Sequence, residues 1–217
     1  MIIAIDGPAG AGKSTIAKRL AKVLNIAYLD TGAMYRALTL KALRNAVNLE
    51  KEEELVSLAQ KTTIDLEDTS AGLKVLLDGK DVSEEIRTPE VTNHTFYAAR
   101  SGRVREILVE LQRKIGGEKS VVAEGRDIAT VVFPKADFKF YLDADFRERS
   151  RRRIKELKEK GQKFDEKKLA MDLKDRDLKD MTRAAGPLKK AQDAIFIDST
   201  SLSIEQVVDK ILEWINP

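Results

Sequence analysis

The 217-residue sequence contains no cysteine and only one histidine, His94. The lack of cysteine excludes disulfides, thiolate metal sites and cysteine nucleophiles, and it is typical of proteins from a reducing compartment. A single histidine excludes a metal site built from several histidines, and any Ser-His-Asp triad would have to use His94. Because His94 stands in the polar segment Thr-Asn-His-Thr, we expect it to be a surface or hydrogen-bonded polar residue rather than a catalytic one.

Long apolar runs and a strong excess of one charge are also absent. No segment approaches the roughly 20 consecutive apolar residues that span a bilayer, and no basic segment precedes the first apolar residues as in a signal peptide. The 39 basic and 36 acidic side chains nearly balance, so the net charge of +3 gives no general attraction to nucleic acid. We therefore expect a cytoplasmic monomer that binds neither membranes nor nucleic acid.

A phosphate-binding motif lies close to the start of the sequence. The run Gly-Pro-Ala-Gly-Ala-Gly-Lys-Ser follows the strand-like Met-Ile-Ile-Ala-Ile-Asp and precedes an amphipathic helix, which is the context that the G-x-x-x-x-G-K-[ST] pattern requires. Backbone N–H groups of such a loop hold phosphates, its lysine contacts the β- and γ-phosphates, and its serine hydroxyl ligates Mg²⁺. The predicted nucleotide-binding residues are Gly7, Pro8, Ala9, Gly10, Ala11, Gly12, Lys13, Ser14 and Thr15, with Ser14 as the metal ligand.

Strand and helix signals alternate along the chain. This alternation predicts a parallel sheet that binds phosphate at the carboxyl ends of its strands. Alternating apolar residues in 62–82, with turns at Ser70-Ala71-Gly72 and at 78–81, predict a small antiparallel insertion. Helices are expected over 83–115, with Gly116-Gly117 closing the last of them, and Ser203 with Gln206 predicts a capping box.

The phosphate loop alone leaves the reaction open, because kinases, motor ATPases and switch GTPases share it. The sequence has neither an Asn-Lys guanine-binding segment nor an Asp-x-x-Gly switch motif, and it is short for a mechanical ATPase. Arginines recur where loops should leave strands or on a late helix, at positions 36, 126, 176 and 183. Phosphoryl transfer between two phosphates needs such cations to offset repulsion, and a phosphate acceptor needs no histidine base.

A second group of arginines opens a long charged helix, at positions 147, 149, 151, 152 and 153. Acidic residues are interleaved with them, so we expect most of this helix to be a solvated face, with the alternative that some of its arginines belong to a lid over ATP. A nucleotide-dependent nucleic-acid-binding protein is an alternative from another functional class. The interleaved acids argue against it, because they leave no continuous positive stripe.

Nearly the whole sequence resembles the bacterial-type cytidylate kinases, which phosphorylate CMP and dCMP with ATP. The resemblance implies an α/β fold: a P-loop NTPase three-layer α/β/α domain with a central parallel sheet, a small antiparallel β insertion and a helical lid. As one kinase domain over 1–217, its core would be 1–30, 116–146 and 164–217, its monophosphate-binding region 31–115 and its lid 147–163. The segments that carry the resemblance are 5–15, 29–36, 84–91, 124–134, 174–177, 183–188 and 198–200.

The same resemblance implies roles for individual residues. The catalytic residues would be Lys13, Arg126 and Arg183, with ATP and Mg²⁺ as cofactors. The substrate-binding residues would be Thr31, Arg36 and Arg126 at the phosphate of CMP, Arg183 between the donor and acceptor phosphates, Arg176 and Asp180 at the ribose, and Arg105 and Asp127 at the base. A carboxylate suits the N4 amine of cytosine and opposes O4 of uracil, so we expect discrimination against UMP.

One departure from the family lies near the expected base site. Relatives usually have a serine that touches the base where this sequence has Thr95-Phe96-Tyr97. Stacking by Phe96, a hydroxyl from Thr95 and loss of the contact all remain open. The alternative function is a P-loop kinase for another nucleoside monophosphate or for a small metabolite, and the pair of Asp127 and Arg105 expected at the base argues against it.

Overall fold

The computed structural model describes residues 1–69, 72–159, 161 and 164–215. Two parts of the sequence predictions lie outside these residues: Ser70 and Ala71 of the first predicted turn, and residues 160, 162 and 163 of the predicted lid. The described chain forms two compact units, residues 1–25 with 122–217 and residues 26–121.

Eight strands and eight α-helices follow one another in the described residues. The strands are β1 (Ile2–Asp6), β2 (Ala27–Asp30), β3 (Ile64–Thr69), β4 (Gly72–Leu77), β5 (Lys80–Asp81), β6 (Val121–Gly125), β7 (Phe138–Asp143) and β8 (Ile195–Asp198). The helices are α1 (Lys13–Leu24), α2 (Thr31–Arg44), α3 (Glu52–Gln60), α4 (Pro89–Arg100), α5 (Gly102–Glu118), α6 (Phe146–Glu159), α7 (Glu166–Thr182) and α8 (Ile204–Ile215). A 3₁₀ turn at 85–87 and a π-helical turn at 128–132 complete them.

The central sheet has five strands in the order β2-β6-β1-β7-β8. β1 pairs in parallel with β7, which pairs in parallel with β8. Ile3, Ile5, Phe140 and Leu142 are fully buried, as expected for parallel strands covered by helices on both faces. The predicted parallel α/β sheet is confirmed, and its strand order brings the carboxyl ends of β1 and β6 next to each other.

The predicted antiparallel insertion is also confirmed. β3, β4 and β5 form a separate three-stranded antiparallel sheet in which Ile64 lies opposite Leu77. Val75 and Leu77 point into the core of this unit, while the alternate residues are more exposed. The period of two in the sequence therefore reflects a sheet with one buried face.

The region 83–115 contains two helices, and the predicted end at Gly116-Gly117 is wrong. α4 ends at Arg100, and the Ser101 hydroxyl then caps α5 by accepting a hydrogen bond from the Val104 N–H at 3.1 Å. α5 continues through both glycines to Glu118. Glycine lowers helix propensity without ending a helix, and neither residue has the left-handed φ of a C-cap glycine.

The predicted capping box begins α8. The Gln206 N–H donates to the Ser203 hydroxyl at 3.2 Å, and the Ser203 N–H donates to the side-chain carbonyl of Gln206 at 2.9 Å. This reciprocal pair satisfies two N–H groups that a helix start leaves without partners. In the described part of the chain, each helix is too short or too polar to cross a membrane.

Candidate active site

The predicted phosphate loop is a tight turn between β1 and α1 that only glycine fits at two points. Gly7 has a φ of 150°, and a Cβ there would lie 1.9 Å from the carbonyl oxygen of Leu142. Gly10 has a φ of 78°, and its Cβ would lie 3.0 Å from the carbonyl oxygen of Arg149. Larger residues would therefore push the loop away from the strand and the helix that support it.

Lys13 lies within this loop and is only 5% exposed. Its Nζ atom donates a hydrogen bond to the Pro8 carbonyl at 2.7 Å. Burial is the main reason that the pKa of Lys13 falls from 10.5 to about 7, and the nearby Arg126 guanidinium lowers the pKa further. An anion bound in the loop would restore the charged form, so this lysine is suited to phosphate.

Ser14 and Glu124 form the candidate metal site. The Ser14 hydroxyl donates to a carboxylate oxygen of Glu124 at 2.5 Å, and Glu124 is buried near the carboxyl end of β6. Mg²⁺ typically takes one or two carboxylate or hydroxyl oxygens together with substrate phosphates, so this pair fits the ion. Glu124 is not among the site residues predicted from the sequence, although an acid that directly follows the apolar run Val-Val-Ala is an available signal.

Beside Lys13, four of the predicted side chains form a buried network of opposite charges. The Arg126 Nε lies 2.7 Å from a carboxylate oxygen of Asp180. Arg183 lies 3.5 Å from Asp127 and 3.8 Å from Asp180, and its Nε donates to the Gly186 carbonyl at 2.7 Å. Burial alone would raise the pKa of Asp180, but the positive charges of the neighbouring arginines hold it below its usual value.

Arg176 on α7 belongs to the same charged group. It lowers the pKa of both Lys13 and Asp180 through its positive charge. The first unit thus brings together the predicted residues Lys13, Ser14, Arg126, Asp127, Arg176, Asp180 and Arg183. Three cationic forks beside a phosphate loop can neutralise a highly charged group of phosphates.

Arg36 in the second unit is held by Asp30. Asp30 caps α2 by accepting from the Ala33 N–H at 2.8 Å, and its two carboxylate oxygens lie 3.0 and 3.1 Å from an Nη atom of Arg36. A Cβ on Gly32 would lie 3.1 Å from the guanidinium, so glycine leaves room for this ion pair. Among the described residues, none bonds to the buried Nε of Arg36.

Thr31 and Arg105 also lie in the second unit, and both are buried. Thr31 begins α2, and Arg105 lies in the first turn of α5. The Arg105 guanidinium carbon is 5.4 Å from the ring centroid of Tyr35, which is a cation–π distance. The Arg105 guanidinium therefore packs against an aromatic face.

The segment that departs from the family lies on α4. The Thr95 hydroxyl donates to the Val91 carbonyl at 2.7 Å, so its proton is used within the helix. Phe96 packs edge-on against Tyr97, and the Arg100 guanidinium carbon lies 5.6 Å from the Phe96 ring centroid. Of the three alternatives, a hydroxyl hydrogen donated by Thr95 is therefore disfavoured.

The arginines of α6 have two different environments. Arg151 and Arg153 form ion pairs at the surface with Glu148 and Glu156, as expected for a solvated helix. Arg149 is buried instead: it donates to the Ala9 carbonyl of the phosphate loop at 3.0 Å and pairs with Asp177, which accepts from the Ala9 N–H at 3.2 Å. Arg149 is thus an exception to the expected solvated face, because it is buried and supports the loop.

Arg152 gives a second contact between α6 and the loop. It donates to the Ala11 carbonyl at 3.3 Å and to the Ser199 hydroxyl at 3.0 Å. Asp177 and Ser199 have no role predicted from the sequence, although both lie in segments that carry the family resemblance. Their contacts show that these segments build the support of the phosphate loop.

Solved structures with similar folds include kinases. An uncharacterized protein from Eubacterium ventriosum has a TM-score of 0.52 and 19% identity, and the match covers 100% of this chain and 98% of that one. A shikimate kinase from Bacteroides thetaiotaomicron has a TM-score of 0.50 and 16% identity over 100% of this chain and 99% of that one. At these identities the likeness shows the fold alone.

Sequence comparisons are more specific. The cytidylate kinase family profile matches residues 3–217. A cytidylate kinase from Desulforamulus reducens is 53% identical over 98% of this chain and 96% of its own, and one from Caldanaerobacter subterraneus subsp. tengcongensis is 52% identical over 98% and 93%. One from Clostridioides difficile is 47% identical over 100% and 98%. With matches that run over both full lengths and a phosphate loop beside an arginine network, this chain belongs to the cytidylate kinase family.

Proposed function

We propose that this protein transfers the γ-phosphoryl group of ATP to CMP and dCMP by in-line displacement, which yields ADP with CDP or dCDP. The observation that carries the proposal is the position of Lys13 beside the buried network of Arg126, Asp127, Asp180 and Arg183. The phosphate loop with Lys13 suits the phosphates of a nucleoside triphosphate. The network of arginines and carboxylates suits a second anion that carries a base. Catalysis then rests on positioning and on charge neutralisation, and no protein base is needed.

On the donor side, the loop from Gly7 to Thr15 would hold the phosphates of ATP through its backbone N–H groups. Lys13 would contact the β- and γ-phosphates, because its burial favours an anionic partner. Ser14 and Glu124 would hold Mg²⁺, which supplies charge neutralisation at the phosphate oxygens when it is bound. Arg149 and Asp177 would keep the loop in the shape that these contacts need.

On the acceptor side, Thr31, Arg36 and Arg126 would bind the phosphate of CMP. The unbonded Nε of Arg36 supports this role, because a buried donor gains most from an anionic acceptor. Arg183 would lie between the donor and acceptor phosphates and stabilise the charge of the transferring group. The carboxylates that pair with these arginines keep the guanidinium groups oriented. Phosphate oxygens of the substrate can replace the carboxylates as hydrogen-bond acceptors.

The nucleoside would be recognised by polar side chains. Asp127 would accept a hydrogen bond from the cytosine N4 amine, with Arg105 as a second contact to the base. Arg176 and Asp180 would bind the ribose hydroxyls. Support comes from the ion pair of Asp127 with Arg183, since a paired carboxylate is an acceptor rather than a donor.

We further propose that the chain is a single kinase domain and that it works in the cytoplasm as a monomer. We expect it not to bind nucleic acid. Residues 31–115 would form its monophosphate-binding region and 147–163 a lid that excludes water during transfer. Gly161, which has a φ of 64°, is a candidate hinge for this lid. Size-exclusion chromatography with light scattering would test the monomeric state, because the measured mass of a dimer would be twice that of one chain.

The proposal is tested by a coupled ADP-release assay with MgATP and five acceptors in parallel: CMP, dCMP, UMP, AMP and dTMP. We expect rapid turnover with CMP and dCMP and slow turnover with UMP. Equal use of UMP would contradict the role of Asp127, and turnover with AMP or dTMP alone would favour the alternative acceptor. Inactivity with all five would refute the proposed reaction.

A further inference from the structure

Asp6 is a buried carboxylate that joins two functional loops of the first unit. It is the last residue of β1, stands directly before Gly7 and is 1% exposed. Its two oxygens accept hydrogen bonds from the N–H groups of Ile128 and Ala129, each at 2.8 Å. The proposed phosphate loop begins one residue after Asp6, and Arg126 and Asp127 come directly before the N–H groups that it binds.

The turn that Asp6 binds also has hydrogen bonds between its own backbone groups. The Asp127 carbonyl accepts from the Val131 N–H at 2.8 Å and from the Val132 N–H at 3.1 Å, while the Phe133 N–H donates to the Ile128 carbonyl at 2.7 Å. These bonds define the shape of the π-helical turn. The bonds to Asp6 attach the beginning of this turn to the central sheet.

Keeping a carboxylate at this position is costly for the fold. Burial raises the pKa of Asp6 to about 6, although the two backbone hydrogen bonds act in the opposite direction. The charges of Asp127 and Lys13 also act on it, and Tyr141 is the other titratable group that interacts with it. A buried charge that is unfavourable for stability is commonly found where function requires it.

We infer that Asp6 is a positioning residue that fixes Arg126 and Asp127 relative to the phosphate loop. The inference rests on the proposed function, in which these two residues bind the phosphate and the base of CMP. Each of the two N–H groups donates to its own oxygen of Asp6. An asparagine in the same place offers one oxygen and turns its NH₂ group toward the second donor. Loss of one bond would release the start of the turn and displace the acceptor-binding side chains.

The test is the substitution Asp6→Asn, with steady-state kinetics for each substrate at saturating concentrations of the other. We expect kcat/KM for CMP to fall about 10- to 100-fold, because small displacements of binding groups have effects of this size. The KM for ATP should change by less than about 3-fold, because the phosphate loop keeps its own contacts to Arg149 and Lys13. The ratio of kcat/KM between CMP and UMP should also fall, since Asp127 would no longer be held in place.

Ile3→Val is the matched control on the same strand. Ile3 is fully buried and has no role in the proposed mechanism, and its truncation removes one methyl group from the core. If Asp6→Asn behaved like this control, or changed KM for both substrates equally, the inference would be overturned. Asp6→Glu is a second variant, because it keeps the charge but lengthens the side chain, and it should give the same defect toward CMP.

The outcomes separate this inference from the proposed function. Wild-type protein that does not phosphorylate CMP would refute the proposed function, and the inference with it. An active wild-type enzyme with a normal kcat/KM for CMP in Asp6→Asn would refute the inference alone. If neither Asp6 variant folds, as judged by circular dichroism, Asp6 is required for folding and the positioning role is wrong.

Discussion

At the scale of single residues, the lowered pKa of Lys13 predicts that nucleotide binding is coupled to proton uptake. With a pKa near 7, about nine-tenths of this lysine is neutral at pH 8, whereas bound phosphates favour the charged form. We predict that binding of MgATP at pH 8 takes up close to one proton, and that the uptake decreases toward pH 6. Isothermal titration calorimetry in buffers of different ionisation enthalpy measures this number.

The variant Lys13→Ala identifies the group that takes up the proton. It should bind MgATP without the pH-dependent uptake and lose most of the activity, while its circular dichroism spectrum stays unchanged. Uptake that persists in Lys13→Ala would assign the proton to another group. Near-normal turnover of the purified variant would contradict the proposed role of the loop.

Asp127 carries a second prediction at this scale. In Asp127→Asn the side-chain amide can donate to O4 of uracil as well as accept from N4 of cytosine. The preference for CMP over UMP, as a ratio of kcat/KM values, should therefore fall by about 100-fold. Competition assays with both nucleotides check the ratio directly, and an equal loss for both would show that Asp127 does not read the base.

At the scale of elements, helices α6 and α7 support the phosphate loop through one pair of charges. Arg149 and Asp177 bind the carbonyl and the N–H of Ala9, respectively. We predict that Arg149→Ala raises the KM for ATP about 10-fold and leaves the KM for CMP nearly unchanged, since charged hydrogen bonds to the loop are lost. Thermal unfolding should also occur at a lower temperature, because Asp177 would remain as an unpaired buried charge.

Arg151→Ala is the control for this prediction, because it removes the same charge from the same helix. The side chain of Arg151 is 68% exposed and pairs only with Glu148 among its described salt bridges. A surface pair of this kind contributes little to stability. If both variants raised the KM for ATP equally, the effect would come from the net charge of α6 and not from the contact with Ala9.

The elements also show what the sequence could predict and what it could not. The period of two in β4 and the buried runs of β1 and β7 are local patterns, and the predictions of these strands are confirmed. The phosphate loop has a fixed spacing that places it between β1 and α1, and nucleotide binding by it stays a prediction. The role of Arg149 was not predicted, because its partner Ala9 lies 140 residues away and the contact exists only after tertiary packing. The π-helical turn was missed for a similar reason, since Asp6 holds its start from another strand.

At the scale of the whole molecule, the candidate site lowers the stability of the fold near neutral pH. The pKa of Lys13 falls from 10.5 to about 7, so the folded state binds fewer protons than the unfolded chain in this range, and stability rises with pH there. The pKa of Asp6 is raised from 3.8 to about 6, so its contribution favours folding below pH 3.8 and is lost as the pH rises through 6. Both groups therefore lower the free energy of unfolding between about pH 6 and 7. Bound phosphates would stabilise the charged form of Lys13 and so remove its part of this cost.

The contribution of Asp6 to pH-dependent stability can be isolated with the variant that removes its titration. We predict that the free energy of unfolding of wild-type protein, relative to Asp6→Asn, falls by about 2 kcal/mol between pH 4.5 and pH 7.5. Urea denaturation of both proteins at a series of pH values measures the difference, and the titration of groups that do not interact with Asp6 cancels. A difference that stays constant with pH would show that Asp6 keeps an ordinary pKa in the folded state. A difference of the expected sign would show that the molecule gives up stability to hold an ionised carboxylate between its two proposed substrate loops.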